Sequence, residues 1–140
     1  VTLHLIKLSV GTEDVDDLRH WQARRLKQIG RVFHRTRMMP RRRKQLLEGG
    51  GSIYWVIKGA IRARQRLTGV EPAVNEEGRP CTLLLLDPEL VRTAPRPHRA
   101  FQGWRYYAAE DAPPDLQDLS TGVGNLPPEL VAELHELGLL

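Results

Sequence analysis

The stretch SIYWVIKGAIRARQRLT, residues 52–68, decides the fold. It reads as two arms of period-two alternation around a turn at Lys58 and Gly59. In the first arm Ile53, Trp55 and Ile57 share a face; in the second, Ile61, Ala63, Gln65 and Leu67 do. Two such runs around a two-residue turn that contains glycine predict an antiparallel hairpin. The opposite face then carries Tyr54, Val56 and Lys58 beside Arg62, Arg64 and Arg66. Three alternating arginines make either a solvated sheet face or a stripe facing phosphates.

Upstream of the hairpin, Gly49, Gly50 and Gly51 close a short helix over 41–48 that starts just after Pro40. Before it, residues 31–39 alternate as a strand. Val32, His34, Thr36 and Met38 point one way, and Phe33, Arg35, Arg37 and Met39 the other. A longer helix opens at Thr12 as N-cap, with Glu13, Asp14, Asp16 and Asp17 in its first turn, and stops at Gly30. Val15, Leu18, Trp21 or Gln22, Leu26 and Ile29 form its apolar side. Residues 3–10 read as a first strand.

Downstream, 70–80 reads as a polar loop and 81–86 as a buried strand. A short strand at 90–92 leads into 93–100, where Pro95 and Pro97 oppose regular pairing. A last strand lies within 100–108. Residues 110–125 read as loop with a turn of helix near 115–119, and 127–137 as a terminal helix. Short mixed strands with two or three helices predict α+β: a small curved mixed sheet or barrel with flanking helices. Residues 1–125 form one domain in this reading, with 126–140 a C-terminal helix packed on it or extending from it.

The 140 residues suit one domain with one core. No window approaches ~18 consecutive apolar residues, so no membrane span is expected. The first ten residues lack the pattern of a secretory leader, and a single cysteine, Cys81, forms neither an intramolecular disulfide nor a multi-thiolate zinc site. A cytoplasmic location is the expectation. The net charge of +4 hides a strong asymmetry. Residues 1–70 hold 16 Lys/Arg and 5 Asp/Glu, net +11; residues 71–140 hold 5 and 12, net −7. Such a basic half predicts a polyanionic partner, RNA or DNA, or else an acidic protein surface. A homodimer through the oppositely charged halves is the second form of the same idea.

Most catalytic chemistries find no support. His4, His20, His34, His98 and His135 make no HxxxH or HExxH pair, so no metal site is expected and no cofactor is implied. Gly49-Gly50-Gly51-Ser52 lacks the lysine of a phosphate loop, and no GxSxG occurs. Catalytic residues are therefore not assigned. What remains is rings interleaved with cations. Phe101-Gln102-Gly103-Trp104-Arg105-Tyr106-Tyr107 combines stacking rings, an amide and a guanidinium, which suits contact with unpaired bases. The expected site is a pocket lined by Tyr54, Trp104 and Arg105, with Gln102, Lys58 and Arg64 at its rim. Phosphates would lie along Arg35, Arg37, Arg41, Arg42, Arg43, Arg62, Arg64 and Arg66. An enzyme acting on nucleotides or nucleic acid is the alternative. It would be favoured by a pocket joining Asp87 or Glu71 to Lys58 or Lys7. A protein-interaction module is the third class.

Five strings carry a resemblance: LHLIKLSVG (3–11), TRMMPRR (36–42), GGSIYWVIKGAIRARQRLTGVEP (50–72), LDPELV (86–91) and FQGWRYY (101–107). Together they resemble a bacterial family, domain-of-unknown-function family 1489, over about residues 3–119. That resemblance implies no activity. The order of short helix, YWVIKG strand and AIRARQRLTGV strand also looks similar to the centre of PUA-like domains of the EVE and ASCH kind. Those are small barrels with helices, several of which bind RNA or hold a modified base. This second resemblance implies a PUA-like nucleic-acid-binding domain without chemistry of its own, and transfers no catalytic residue.

Overall fold

The structure is a computed structural model in which residues 2–117 are described. The element order is β1 (Leu3–Leu8), α1 (Val15–Ile29), β2 (Val32–Thr36), α2 (Arg43–Glu48), β3 (Ser52–Ile57), β4 (Ala60–Val74), β5 (Pro80–Leu86), β6 (Val91–Pro97) and β7 (Trp104–Ala108). The terminal helix expected over 127–137 lies outside the described residues.

The hairpin forms as read. β3 and β4 pair antiparallel, and Lys58 and Gly59 both take positive φ, 51° and 77°, the geometry that suits the twist of a two-residue hairpin. The alternation breaks once. Trp55 faces Ala63 but Val56 faces Ile61, so Arg62 is an extra residue in a bulge. Ile61 therefore turns away from Ala63, Gln65 and Leu67 to the other side of the sheet, where it packs with Ile6, Tyr54 and Val56. The expected arginine stripe is broken at the same point.

The strands form one sheet in the order β2-β5-β4-β3-β1-β7, with β6 beside the first half of β4. Only β1 and β3 run parallel among these pairs. The sheet is mixed and not closed, yet it curls. The segment after β2, from one end of the path, touches β7 at the other: the Trp104 indole donates to the Met38 carbonyl at 3.0 Å, and the Arg42 amide donates to the Tyr106 hydroxyl at 3.0 Å. The architecture is α+β with a curved sheet.

Both faces are apolar. One carries Leu5, Ile53, Trp55, Ile57, Leu84 and Leu86, covered by Val15 and Leu18 of α1 and Leu46 of α2. The other carries Ile6, Tyr54, Val56 and Ile61 under Phe101, Tyr107 and Ala112. β3 is consequently buried along its whole length.

Three boundaries differ from the sequence reading. α1 starts at Val15 with Asp14, not Thr12, as its cap; the Asp14 carboxylate accepts from the Asp17 amide at 2.8 Å. β4 runs on through Val74 where a loop was expected, because the apolar run of β5 supplies it with a partner. β6 includes both Pro95 and Pro97. Its register skips between Ile61/Arg96 and Ala63/Arg92, and Pro95 falls inside the skip, where a missing amide leaves no ladder bond unmade.

Candidate nucleic-acid interface

The residues expected to form one pocket are distributed by the pleat. Lys7 lies opposite Trp104 and Ile6 opposite Arg105, so Trp104 and Arg105 leave the sheet on opposite faces. Tyr54 is 5% exposed, its ring edge-on to His4 at 5.0 Å and tilted on Tyr107 at 5.5 Å. It belongs to the second core and not to a pocket wall. Arg105 stacks on Phe101 at 4.5 Å. Gln102 is exposed beside Gly103, whose φ is +72°. Lys58 pairs with Glu13 at 3.0 Å on the surface.

The arginines separate into three kinds. Arg62, the bulge residue, turns back on the hairpin, and its Nε donates to the Ile57 carbonyl at 2.8 Å. Arg64 grips Asp115 with Nε and Nη2 at 2.6 and 2.7 Å and also reaches the Ser52 hydroxyl. Asp115 and Arg66 border a wide depression of about 660 Å³ with Asp87, Glu89 and Arg92. By contrast Arg35, Arg37, Arg41, Arg42 and Arg43 are exposed and have no ion pair among the described residues. They follow one another along the end of β2 and the start of α2.

That second segment is where rings and cations meet. Trp104 and Tyr106 stand edge to face at 5.0 Å, and the Arg42 guanidinium lies 5.5 Å from the Tyr106 ring centre. Arg42 is further held by the Gln45 side-chain oxygen at 2.7 and 3.0 Å. Trp104 thus neighbours the arginines of residues 37–43, not Tyr54 and Arg64.

A second feature was not foreseen. A cavity of about 290 Å³ lies between the start of α1 and strands β1, β2 and β3. Lys7, His34, Trp21, Phe33, Trp55 and Gln22 line it. In the ladder Lys7 sits between Trp55 on β3 and Trp104 on β7. His34 packs edge-on against Trp55 at 5.3 Å. Burial, with Lys7 and Arg25 nearby, pushes the His34 pKa down to about 4, and burial lowers that of Lys7. Arg25 stacks on Trp21 at 4.2 Å and on Phe33 at 5.0 Å at the same end of the sheet. The period-two reading of residues 31–39 puts His34 and Val32 on one face of the strand; what sequence could not give was that this face is inward and that β1 and β3 deliver Lys7 and Trp55 to the same place.

Trp55 is fixed from behind by a buried amide pair. Gln65 accepts from the Trp55 indole at 3.0 Å and exchanges hydrogen bonds with Gln22 at 2.9 and 2.6 Å. His4 and His34 lie on strands that do not pair with each other. β1 pairs with β3 and β7 and β2 with β5, and His4 Nδ1 accepts the Ser52 amide at 2.9 Å.

None of the four acid–lysine combinations that would favour an enzyme forms an ion pair among the described residues. Glu71 pairs with Arg31, Lys58 with Glu13, and the Asp87 carboxylate caps its own turn through the Glu89 amide. Among the described residues no three His, Cys, Asp or Glu side chains converge, and no helix is long and apolar enough to cross a membrane. Comparison with curated proteins and with solved structures returns no match. A family model described as "Protein of unknown function (DUF1489)" matches residues 5–140, and the chain belongs to that family.

Proposed function

We propose that the chain binds RNA or DNA, through its basic β2–α2 segment and the adjoining rings of β7, without acting chemically on the strand. One observation carries the reading: five arginines, Arg35, Arg37, Arg41, Arg42 and Arg43, have no acidic partner among the described residues, and Trp104 and Tyr106 meet the segment that carries them at Met38 and Arg42. Guanidinium groups suit phosphate oxygens, and indole or phenol rings beside them suit unpaired bases. Arg64 is assigned a structural part, since Asp115 already holds it. The PUA-like resemblance of the hairpin belongs to this proposal. The intramolecular pairs Arg31–Glu71 and Arg64–Asp115 join the basic half to the acidic half within one chain, which favours a polyanion over a homodimer built on the same charges.

The test is binding of a labelled single strand over a salt series. Log affinity should fall linearly with log salt. Replacing Arg41, Arg42 and Arg43 together by Ala should weaken every sequence alike and reduce the slope by about 2, three contacts at roughly 0.7 each. An unchanged slope in the folded triple variant removes this segment from the interface.

A further inference from the structure

The cavity beside α1 contains two polar groups that the rest of the described chain leaves without partners. Nε2 of His34 is buried and makes no hydrogen bond. Lys7 is partly buried and makes no ion pair among the described residues. A buried polar atom without a partner is costly, so Nε2 of His34 favours an occupant that supplies one, and the partly buried Lys7 ammonium lines the same cavity with its charge uncompensated among the described residues.

The lining restricts the occupant's chemistry. An ammonium only donates, so the group facing Lys7 must be an acceptor: a carbonyl or an anionic oxygen. The His34 ring is neutral at pH 7, given its lowered pKa of about 4, and a neutral imidazole offers one accepting nitrogen whose position follows its partner. Trp21, Phe33 and Trp55 supply the remaining surface, which favours a flat, unsaturated ring. About 290 Å³ admits one or two fused rings and excludes a length of chain. An exocyclic amino group turned toward Lys7 would set donor against donor.

The cavity is also tied to the proposed interface. Lys7 is the ladder neighbour of Trp104, whose indole holds Met38 in the segment that leads to Arg41, Arg42 and Arg43. We propose that this cavity receives a single lactam nucleobase, of the uracil or guanine type, from a strand held by those arginines, with its ring carbonyl toward Lys7 and its ring N–H toward Nε2 of His34. The proposal rests on the nucleic-acid reading above and adds which base is accepted, and where.

Uracil and cytosine give the sharpest comparison, since they share a shape and differ in the edge concerned. The experiment measures affinity of the full chain for three labelled twelve-nucleotide strands at one salt concentration: oligo-uridine, oligo-cytidine and an abasic strand of equal charge. Oligo-uridine should bind at least about tenfold more tightly than the other two, the discrimination expected of a good two-point base contact. Lys7→Met and His34→Phe should each reduce oligo-uridine toward the abasic value. Equal binding of all three strands by the unaltered protein, or preference for oligo-cytidine, overturns the base site while leaving the charged interface standing. Failure of all three to bind overturns the proposed function, and this inference with it. The decisive comparison uses no variant, so a folding defect in either substitution does not blunt it.

Discussion

Gln65→Leu should be among the most damaging single changes to this protein, although it places an apolar side chain of similar size in a core. Gln65 is fully buried on β4 and serves three partners. Its oxygen accepts from the Trp55 indole at 3.0 Å and from the Gln22 amide at 2.9 Å. Its nitrogen donates to Gln22 at 2.6 Å and to the Asp87 carbonyl at 3.0 Å. Leucine would strand the Trp55 N–H, the Asp87 carbonyl and the Gln22 amide together. At roughly 1–3 kcal/mol for each buried group left unpaired, with the Gln22 amide able to turn toward the cavity, the loss is about 2–6 kcal/mol. Gln22→Leu should cost much less, about 1 kcal/mol, because both polar atoms of Gln65 keep another partner. The double replacement removes the stranded Gln22 amide and should be less destabilised than the two single losses added together. Urea unfolding followed by tryptophan fluorescence gives all three values, provided the denaturant slopes agree. A Gln65→Leu protein within about 1 kcal/mol of the parent, or a strictly additive double variant, would show that this pair is not what holds Trp55 in place.

Acid should unfold the chain by way of His34. Its pKa of about 4 in the fold, against 6.5 when unfolded, means that the unfolded state binds more protons between those values. Stability therefore falls as pH drops from about 6.5 to 4, by roughly 3 kcal/mol for this group, with burial first and then Lys7 and Arg25 opposing its charge; His4, also lowered, adds in the same direction. His34→Phe should flatten the stability profile measured by urea titration at a series of pH values, and an unchanged profile would deny His34 this role. Gly51→Ala should cost about 1–3 kcal/mol, toward the upper end, because its Cβ would run into the Leu3 carbonyl oxygen and lie 2.8 Å from that of Leu46, both backbone. Gly50→Ala, with open space and only a positive φ of 70° to resist it, should cost about 1 kcal/mol, so a thermal-melt comparison that ranks Gly50→Ala worse refutes the steric account.

The hairpin was legible because local alternation and a local turn determine it. Its bulge was not. Arg62, Arg64 and Arg66 alternate in the sequence whether or not one residue is skipped, and only the partner strand reveals that Ile61 has changed sides. The boundaries of α1 were nearly right, and the choice between Trp21 and Gln22 as its buried position went to Gln22 because a second amide waits on β4. A hydrophobicity pattern cannot anticipate a polar contact 43 residues away. The same limit applies to the candidate interface. Rings beside arginines were visible as a composition, but which ring meets which arginine depends on the curl that brings β7 to Met38 and Arg42. The cavity was invisible as a whole, since Lys7, His34 and Trp55 come from three strands that no local signal associates.

The place of β1 in the sheet has a consequence for how the chain is made. Leu5 pairs with Ile53 on one side and with Tyr106 on the other. A ribosome adding roughly 5–20 residues per second needs about 5–20 s after Leu5 to deliver its second partner. During that interval the strand LHLIKL can have at most one neighbour, and its other edge stays open to any unfolded chain nearby. Folding during synthesis can complete the β3–β4 hairpin early, but it cannot close β1 until β7 has emerged. The step that finishes the sheet is therefore the slowest to become available, and overproduction at high temperature should tax this protein through β1 before any other strand.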